Sequence, residues 1–441
     1  MNAFFSSAKI RNRADTTAKK YITALGIWLT FLDRIGRPWW EAIEDDVEEF
    51  VFWRLTDPAN ERRVTGGTVH GNLIAMHVFY TWAEPRYGVN NPVSTELVRG
   101  RQFDQEVRRI RAGPHIIRDK DVKWLDPSGY QRWRDMGLRG FDIDGLEDPK
   151  WRGRNTQRDS AFADGLYGTG LRLSEWASVL NVELPADDAD RSYSTCYLAS
   201  KCAKGNRGRL YWMPRRVLAD VLSYMEGARA AAIRRARRSG RYERLTGVRV
   251  LEGMTHAGEL ELVDASSGER HLIWLDELDP RARLRLFRRT PGGLEPLAVW
   301  LNEDGLARPA DAWEKTFERA NDRLGRAGLE GLVATPHMLR HSFALRWYSA
   351  GRLSYELRYA HLSDEELRDF REQFGEVWHL VQTMLGHVDV TTTKNTYLEP
   401  FRALDVIVLL EHTRGSAVAD LLGEMFAHHP YVRTDPRRGE G

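Results

Sequence analysis

The chain has 441 residues, a length that indicates two or three domains rather than one. Its 42% hydrophobic content can fill real cores, while 29% charged residues and the lack of a bilayer-length apolar run argue against a membrane protein. The net charge of +2 hides three basic runs, at 99–118, 201–216 and 229–244. Each run alone is typical of a solvated helix face, but together they predict a polyanion-binding side.

The N-terminal part predicts a compact helical domain. Residues 1–13 form an extension without the apolar stretch of a signal peptide, and residues 14–98 show apolar side chains at helical spacing. Helices are expected near 16–35, 42–55 and 68–82. The arginine-rich segment 99–118 contains Gly113-Pro114 and is interpreted as the interdomain linker.

Residues 119–426 predict a second, mixed domain in which helices surround a small β-hairpin. Tyr193–Leu198 and 209–213 alternate like strands around the polar turn Lys204-Gly205-Asn206-Arg207-Gly208. The hairpin also carries both cysteines, Cys196 and Cys202. A disulfide between them is an alternative, but two unpaired thiols of a cytosolic protein are the favoured interpretation.

A strand-rich segment interrupts this domain. Near 240–285, strands are expected at 248–251, 259–263 and 270–275, and helices resume from 311 to 426. The segment 403–426 is amphipathic, and it either docks on a neighbouring subunit or packs on its own domain. Residues 427–441 lack periodicity and predict a flexible tail.

Three clusters could carry chemistry. In the first, Gly168-Thr169-Gly170 reverses the chain and sets Arg172 at a helix start, with Glu175 one turn later in a structural role. Taken alone, this cluster is better explained as an ordinary helix start with a surface arginine.

The second cluster is Thr335-Pro336-His337-Met338-Leu339-Arg340-His341. Thr335 is a good N-cap and Pro336 suits the first helical position, so His337 and Arg340 share one face near a positive helix end. Guanidinium binds phosphate in a bidentate manner and imidazole titrates near neutral pH. A capped helix with a surface basic pair is the competing interpretation, and His341 is expected to pack.

The third cluster runs from Leu385-Gly386-His387 through three threonines to Tyr397. Gly386 is typical of a helix C-terminus, and the threonines predict the cap of a next helix that carries Tyr397. In isolation, His387 and Tyr397 would each be interpreted as core residues.

Taken in order, the clusters resemble the catalytic domain of the tyrosine recombinases, the phage-type integrase family. Thr169-Gly170-Leu171-Arg172-Leu173-Ser174-Glu175 is similar to the first arginine box, and His337-Met338-Leu339-Arg340 to the His-x-x-Arg box. Leu385-Gly386-His387 through Tyr397 resembles the final histidine and nucleophile box. Ala203-Lys204-Gly205-Asn206-Arg207 resembles the catalytic lysine turn. The resemblance covers about residues 14–400 and implies a mainly α fold with a small β element, in which a core-binding domain and a catalytic domain form a C-shaped DNA clamp.

The resemblance also implies roles for six residues. Tyr397 would attack a DNA phosphodiester and form a 3′-phosphotyrosyl link, while Arg172, Arg340 and His387 hold the phosphate oxygens. Lys204 would protonate the departing 5′-oxygen, although Lys201 is an alternative, and His337 would assist proton transfer at the tyrosine. With this much fixed positive charge, no metal ion, cofactor or ATP is expected.

The implied partners are double-stranded DNA with a specific recombination site, a homotetramer and an accessory directionality protein, in the cytoplasm at the nucleoid. A nicking-closing enzyme or hairpin-forming resolvase shares the same chemistry, and a catalytically inactive DNA-binding relative is a further alternative. The insertion near 240–285 departs from the family pattern. It could contact DNA, contact a neighbouring protomer or decorate the surface.

Overall fold

The computed structural model describes residues 2–11, 15–99, 106–114, 124–255, 259–359, 363, 377–386 and 432–433. These residues divide into two compact units, Met1–Asp121 and Val122–Gly441. Helices predominate and the sheets are small, so the predicted mainly α fold is confirmed. Within the described parts of the chain, no helix is long and apolar enough to cross a membrane.

The first unit is helical and has an aromatic core. Its helices are α1 (Asn2–Phe5), α2 (Ala8–Arg11), α3 (Asp15–Arg34), α4 (Glu44–Leu55) and α5 (Gly66–Tyr87), with a 3-10 turn at Trp39–Glu41. The Trp28 indole donates to the Tyr80 hydroxyl at 3.1 Å, and that hydroxyl donates to the Trp39 carbonyl at 2.7 Å. Phe4 is fully buried against Phe79 and Trp82, so the predicted N-terminal extension packs on the helical domain.

A hairpin follows these helices. Strand β1 (Thr95–Arg99) pairs antiparallel with β2 (Glu106–Ile110), in a register that sets Thr95 opposite Ile110. The segment that the sequence assigns to a linker, 99–118, therefore contains a strand. Ile110 is buried in the helical core, which explains how an arginine-rich segment is held to this unit.

The second unit is built around a buried helix. Its helices are α6 (Pro127–Arg134), α7 (Thr156–Thr169), α8 (Leu173–Ala177), α9 (Arg215–Tyr224), α10 (Ala230–Arg238), α11 (Pro280–Arg283), α12 (Glu314–Arg326), α13 (Pro336–Tyr359) and α14 (Val377–Leu385), with π turns at Asp135–Arg139 and Met225–Arg229 and 3-10 turns at Asn181–Glu183, Leu275–Glu277 and Ala310–Trp313. Almost all of α7 is buried, and it packs against α9 and α13. Phe162 on α7 stacks on Trp313, with ring centroids 3.5 Å apart. This aromatic core fixes α7, whose C-terminus leads into the first arginine box.

Among the described residues, three sheets belong to this unit. Strands β4 (Tyr193–Leu198) and β5 (Arg209–Pro214) form the predicted hairpin. Strand β3 (Trp124–Leu125) pairs in parallel with β11 (Val432–Arg433), so two residues of the predicted flexible tail form backbone hydrogen bonds of a sheet. The segment 403–426 lies outside the described residues.

The inserted segment forms a further sheet. Strands β6 (Arg249–Met254), β7 (Glu259–Asp264) and β8 (Arg270–Trp274) match the predicted ones. Strands β9 (Leu286–Thr290) and β10 (Gly293–Pro296) were not predicted, and they extend the sheet past residue 285. In the described part of the chain, these five strands lie in the order β10-β9-β6-β7-β8. Alternation is hard to see in β9, because its two buried residues are followed by two exposed arginines.

Candidate functional site

The first arginine box lies where α7 ends. Gly170 has φ of +66° and donates its N–H to the Leu166 carbonyl at 3.1 Å, closing the helix with a left-handed residue that favours glycine. A Cβ at this position would collide with the Phe343 ring, so glycine also permits the close approach of α13. Arg172 follows at the start of α8, with its side chain about a quarter exposed.

Glu175 is the centre of an ionic network. Its fully buried carboxylate accepts hydrogen bonds from the Arg172 backbone N–H and Nη1, both at 2.9 Å. It also accepts from Arg209, at 2.6 Å from Nη2 and 3.2 Å from Nη1. Burial alone would raise the pKa of Glu175, but the hydrogen bonds and charge of Arg209 and the charges of Arg340 and Arg172 lower it to about 2. Glu175 is therefore a carboxylate that orients arginines, which agrees with a structural role.

Arg340 links the first cluster to the third. The N-cap prediction is confirmed, since Thr335 accepts from the Met338 N–H at 3.2 Å and Pro336 begins α13. The buried Arg340 guanidinium donates to the carbonyls of Gly170 and Leu385, the latter at 2.7 Å. These bonds bring together segments that are far apart in the sequence.

The two histidines of the second cluster differ in exposure. His337 is exposed, and its ring centroid lies 4.1 Å from that of His341. His341 is buried, and its ring is 5.5 Å from Trp124. The expectation that His341 packs is confirmed.

The third box is described as far as its glycine. Gly386 ends α14 with φ of +64° and donates to the Thr383 carbonyl at 3.1 Å, which confirms the predicted helix stop. A Cβ at Gly386 would overlap the Arg209 side chain, so the segment that leads to His387 passes directly over the ionic network. His387 and Tyr397 lie outside the described residues.

The lysine turn, residues 199–208, connects β4 to β5. Gly205 and Asn206 adopt φ of +79° and +55°, as a tight reversal requires. Lys204 is exposed, and its backbone N–H lies 3.5 Å from the Glu175 carboxylate. The Lys201 N–H instead donates to the Asp276 carbonyl at 3.1 Å, in the inserted segment. Of the two lysines, Lys204 has its backbone at the network.

Sequence reasoning missed Arg209 as part of the site. Its side chain is 12% exposed and ion-pairs with Glu175. The available signal was its place in the basic run 201–216, five residues after Lys204. Distant pairing of an arginine with a glutamate leaves no periodic mark in a sequence, so the residue could not be singled out.

The two cysteines and the possible metal ligands were the remaining candidates for chemistry. Cys196 and Cys202 are both free and buried, so the disulfide alternative is wrong. Burial raises the pKa of the Cys196 thiol to about 11, which keeps it protonated. Among the described residues, no group of three or more His, Cys, Asp or Glu side chains could hold a metal ion.

Comparison with known proteins gives consistent results. The chain is 27% identical over 360 residues to an integrase/recombinase of Escherichia coli, covering 79% of this chain and 74% of that protein. It is 22% identical over 385 residues to the tyrosine recombinase XerC of a Roseiflexus strain, covering 87% and 83%. Over 142 residues, 32% of this chain and 35% of the other, it is 33% identical to the tyrosine recombinase XerD of Mycobacterium leprae. No family model matches the chain.

The fold of this chain is shared with a solved recombinase structure over most of both chains. XerH site-specific recombinase, in a post-cleavage complex with its palindromic difH substrate, aligns with a TM-score of 0.51 and 14% sequence identity. The alignment covers 92% of this chain and 82% of that chain.

Proposed function

The chain belongs to the tyrosine recombinase family, and we propose that it cuts and rejoins DNA through a covalent 3′-phosphotyrosyl intermediate on Tyr397. It is a site-specific recombinase, an enzyme that acts by breaking and rejoining DNA. The observation that carries the proposal is the network around Glu175. It joins the first arginine box to the lysine turn. Arg340 donates to the Gly170 carbonyl of that box and to the Leu385 carbonyl, two residues before His387.

The arginines would bind the scissile phosphate. Glu175 orients Arg172 and Arg209, and backbone carbonyls orient Arg340, so the positive groups are held in place before DNA arrives. Charges that need no rearrangement stabilise a developing pentavalent phosphorane more than mobile ones do. Arg172, partly exposed, is suited to a non-bridging oxygen, and the buried Arg340 would add fixed positive charge for the same phosphate. His387 would add a hydrogen bond to that phosphate.

The reaction would proceed in line. The Tyr397 oxygen attacks phosphorus as its phenolic proton passes to a base, a step that His337 assists. The bond from phosphorus to the 5′-oxygen breaks, and Lys204 delivers a proton to that oxygen. The free 5′-hydroxyl of a second strand then attacks the phosphotyrosine and releases Tyr397, which conserves the bond energy and requires neither metal nor ATP.

The finer features of the system are proposals as well. The substrate would be double-stranded DNA with a specific recombination site, held in a C-shaped clamp, and its affinity should fall steeply with salt because phosphate contacts dominate. Strand exchange between two duplexes requires four active sites, so a homotetramer is expected, with an accessory protein that sets direction. Such an enzyme would work where chromosomal DNA lies, at the nucleoid in the cytoplasm.

A second candidate is a nicking-closing enzyme or hairpin-forming resolvase with the same nucleophile. The two differ in product, since only a recombinase forms joint molecules between two duplexes. A catalytically inactive DNA-binding relative is disfavoured by the ordered network, since binding alone does not require a buried glutamate that orients arginines beside Lys204.

The test is covalent capture on nicked suicide duplexes, in which the fragment beyond the break diffuses away and traps the adduct. Duplexes with randomised arms allow wild type to select its own site. Wild type should give a detergent-resistant protein–DNA adduct and then joint molecules, while Tyr397→Phe, which lacks only the attacking oxygen, should give neither. Absence of any adduct with wild type would contradict the proposed function, and adducts without joint molecules would favour the nicking-closing alternative.

A further inference from the structure

The inserted sheet touches the lysine turn. Asp276, just after β8, accepts hydrogen bonds from Ser200 at the base of the turn: from its N–H at 2.5 Å and from its Oγ at 2.6 Å. The Lys201 N–H donates to the Asp276 carbonyl at 3.1 Å, and the Cys202 thiol donates to the Leu278 carbonyl at 3.7 Å. Three consecutive residues of the turn are thus bound by two residues of the insertion, Asp276 and Leu278.

The same contacts close the turn at its other end. The Ser200 Oγ, while donating to Asp276, accepts from the Gly208 N–H at 3.2 Å. A Cβ at Gly208 would collide with the Tyr197 hydroxyl and approach the Ser200 Oγ, so the two strands meet closely there. Asp276 therefore fixes both ends of a ten-residue connection that carries Lys204 between them.

The insertion is itself firmly attached to the catalytic unit. The buried Arg283 donates to the Ser178 carbonyl at 3.3 Å and the Glu183 carboxylate at 2.6 Å, directly after α8. It also donates to the carbonyls of Leu275 and Leu278, both at 2.9 Å, on either side of Asp276. A buried arginine with several acceptors is held rigidly. Arg283 therefore fixes the position of Asp276 relative to α8, the helix that bears Glu175.

Apolar contacts support the same placement. Leu278 is buried with Leu180 and Leu297 of the catalytic unit and with Leu260 and Leu262 of the sheet. Asp276 is well suited to remain a carboxylate. Burial would raise its pKa, but hydrogen bonds from Ser200 and Tyr197 and the charge of Arg283 lower it.

We propose that Asp276 is a positioning residue through which the inserted sheet holds the lysine turn, so that Lys204 meets the departing 5′-oxygen. This inference rests on the proposed function of Lys204 as the general acid. It assigns the insertion a role in catalysis within its own chain. The exposed Lys204 side chain is long and flexible, so its effective concentration at the leaving oxygen depends on where its backbone is held.

The test uses the suicide duplex selected by wild type, made with either oxygen or sulfur at the 5′-bridging position of the scissile phosphate. A thiolate is a good leaving group without protonation, so the sulfur duplex needs no general acid. Lys204→Ala should slow single-turnover cleavage of the oxygen duplex by about 10²- to 10⁴-fold and cleave the sulfur duplex at nearly the wild-type rate.

A milder version of the Lys204→Ala result is expected for three variants, Asp276→Asn, Asp276→Ala and Ser200→Ala. Each should slow cleavage of the oxygen duplex by about 10- to 100-fold and cleave the sulfur duplex at nearly the wild-type rate. Glu277→Gln removes the charge of the exposed neighbouring carboxylate and is the matched control, expected to match wild type on both duplexes. Melting temperatures identify any variant that fails to fold, and Asp276→Asn and Ser200→Ala keep the shape of the site.

Two results would overturn the inference. One is wild-type cleavage of the oxygen duplex by folded Asp276 variants; the other is an equal loss on both duplexes, which indicates general damage to the site. Failure of wild type itself to cleave either duplex would contradict the proposed function instead, and the inference with it.

Discussion

The arginine network and the lysine turn solve the same problem, the placement of positive charge at a phosphate, in different ways. In the network, Arg340 is buried and Arg209 is nearly buried. Arg209 donates hydrogen bonds to the Glu175 carboxylate, and Arg340 donates to backbone carbonyls. In the turn, Lys204 is exposed and only its backbone is held, at Glu175 on one side and through Ser200 and Asp276 on the other. Groups that bind a charge are best fixed in advance, whereas a group that delivers a proton must reach an atom that moves away.

The largest expected effect on the cleavage rate concerns Arg340 in the arginine network. Arg340→Lys keeps the charge but replaces the planar five-donor guanidinium with a compact ammonium, which cannot span the Gly170 and Leu385 carbonyls and a phosphate in one fixed geometry, so cleavage should fall by about 10³- to 10⁵-fold. Single-turnover cleavage of the suicide duplex measures it. Arg346→Lys, on the same helix and stacked over Tyr167, is the control and should stay close to wild type. Equal rates for wild type and Arg340→Lys would show that the bidentate geometry is irrelevant.

A smaller effect separates the two lysines. Lys204→Ala should slow cleavage by about 10²- to 10⁴-fold through loss of the leaving-group proton. Lys201→Ala should leave the rate nearly unchanged, because the turn uses its backbone N–H, which alanine retains. Both variants are compared in the same cleavage assay on the oxygen duplex. The reverse order of effects would assign the general acid to Lys201.

The smallest expected effect is on stability and its pH dependence. The pKa of Glu175 is lowered to about 2 in the folded chain, so its ionised form contributes stability that is fully present above the unfolded value near 4.5. That contribution is lost as pH falls from about 4.5 towards about 2. Glu175→Gln should lower the free energy of unfolding by about 3 kcal/mol at neutral pH, and the deficit should shrink in acid. Urea unfolding across this range measures it, and a deficit independent of pH would contradict the ionic account.

Local signals made part of this site predictable from sequence. Thr335 before Pro336 predicts a helix start, and Gly386 predicts a helix end. The alternation of apolar and polar residues on either side of Lys204 predicts the hairpin. Their chemistry depends on short-range backbone geometry, so neighbouring residues carry the information.

What could not be predicted depends on contacts between distant residues. The pairing of Arg209 with Glu175 is set by packing of a strand on a helix, and the hydrogen bonds from Ser200 to Asp276 cross from the turn to the insertion. Part of the basic run at 229–244 is used in the same way. Arg229 is buried and donates to the Ala298 carbonyl at 3.2 Å and Glu295 at 3.1 Å, so it binds the protein rather than a polyanion.

The central claim is that Tyr397 forms the covalent bond to DNA, and locating that bond tests it most directly. The wild-type adduct on the suicide duplex is digested with nuclease and protease, and mass spectrometry identifies the modified residue and the nucleotide end. We predict a nucleotide joined through its 3′-phosphate to the Tyr397 oxygen. An adduct on any other residue, or one joined through a 5′-phosphate, would contradict the account.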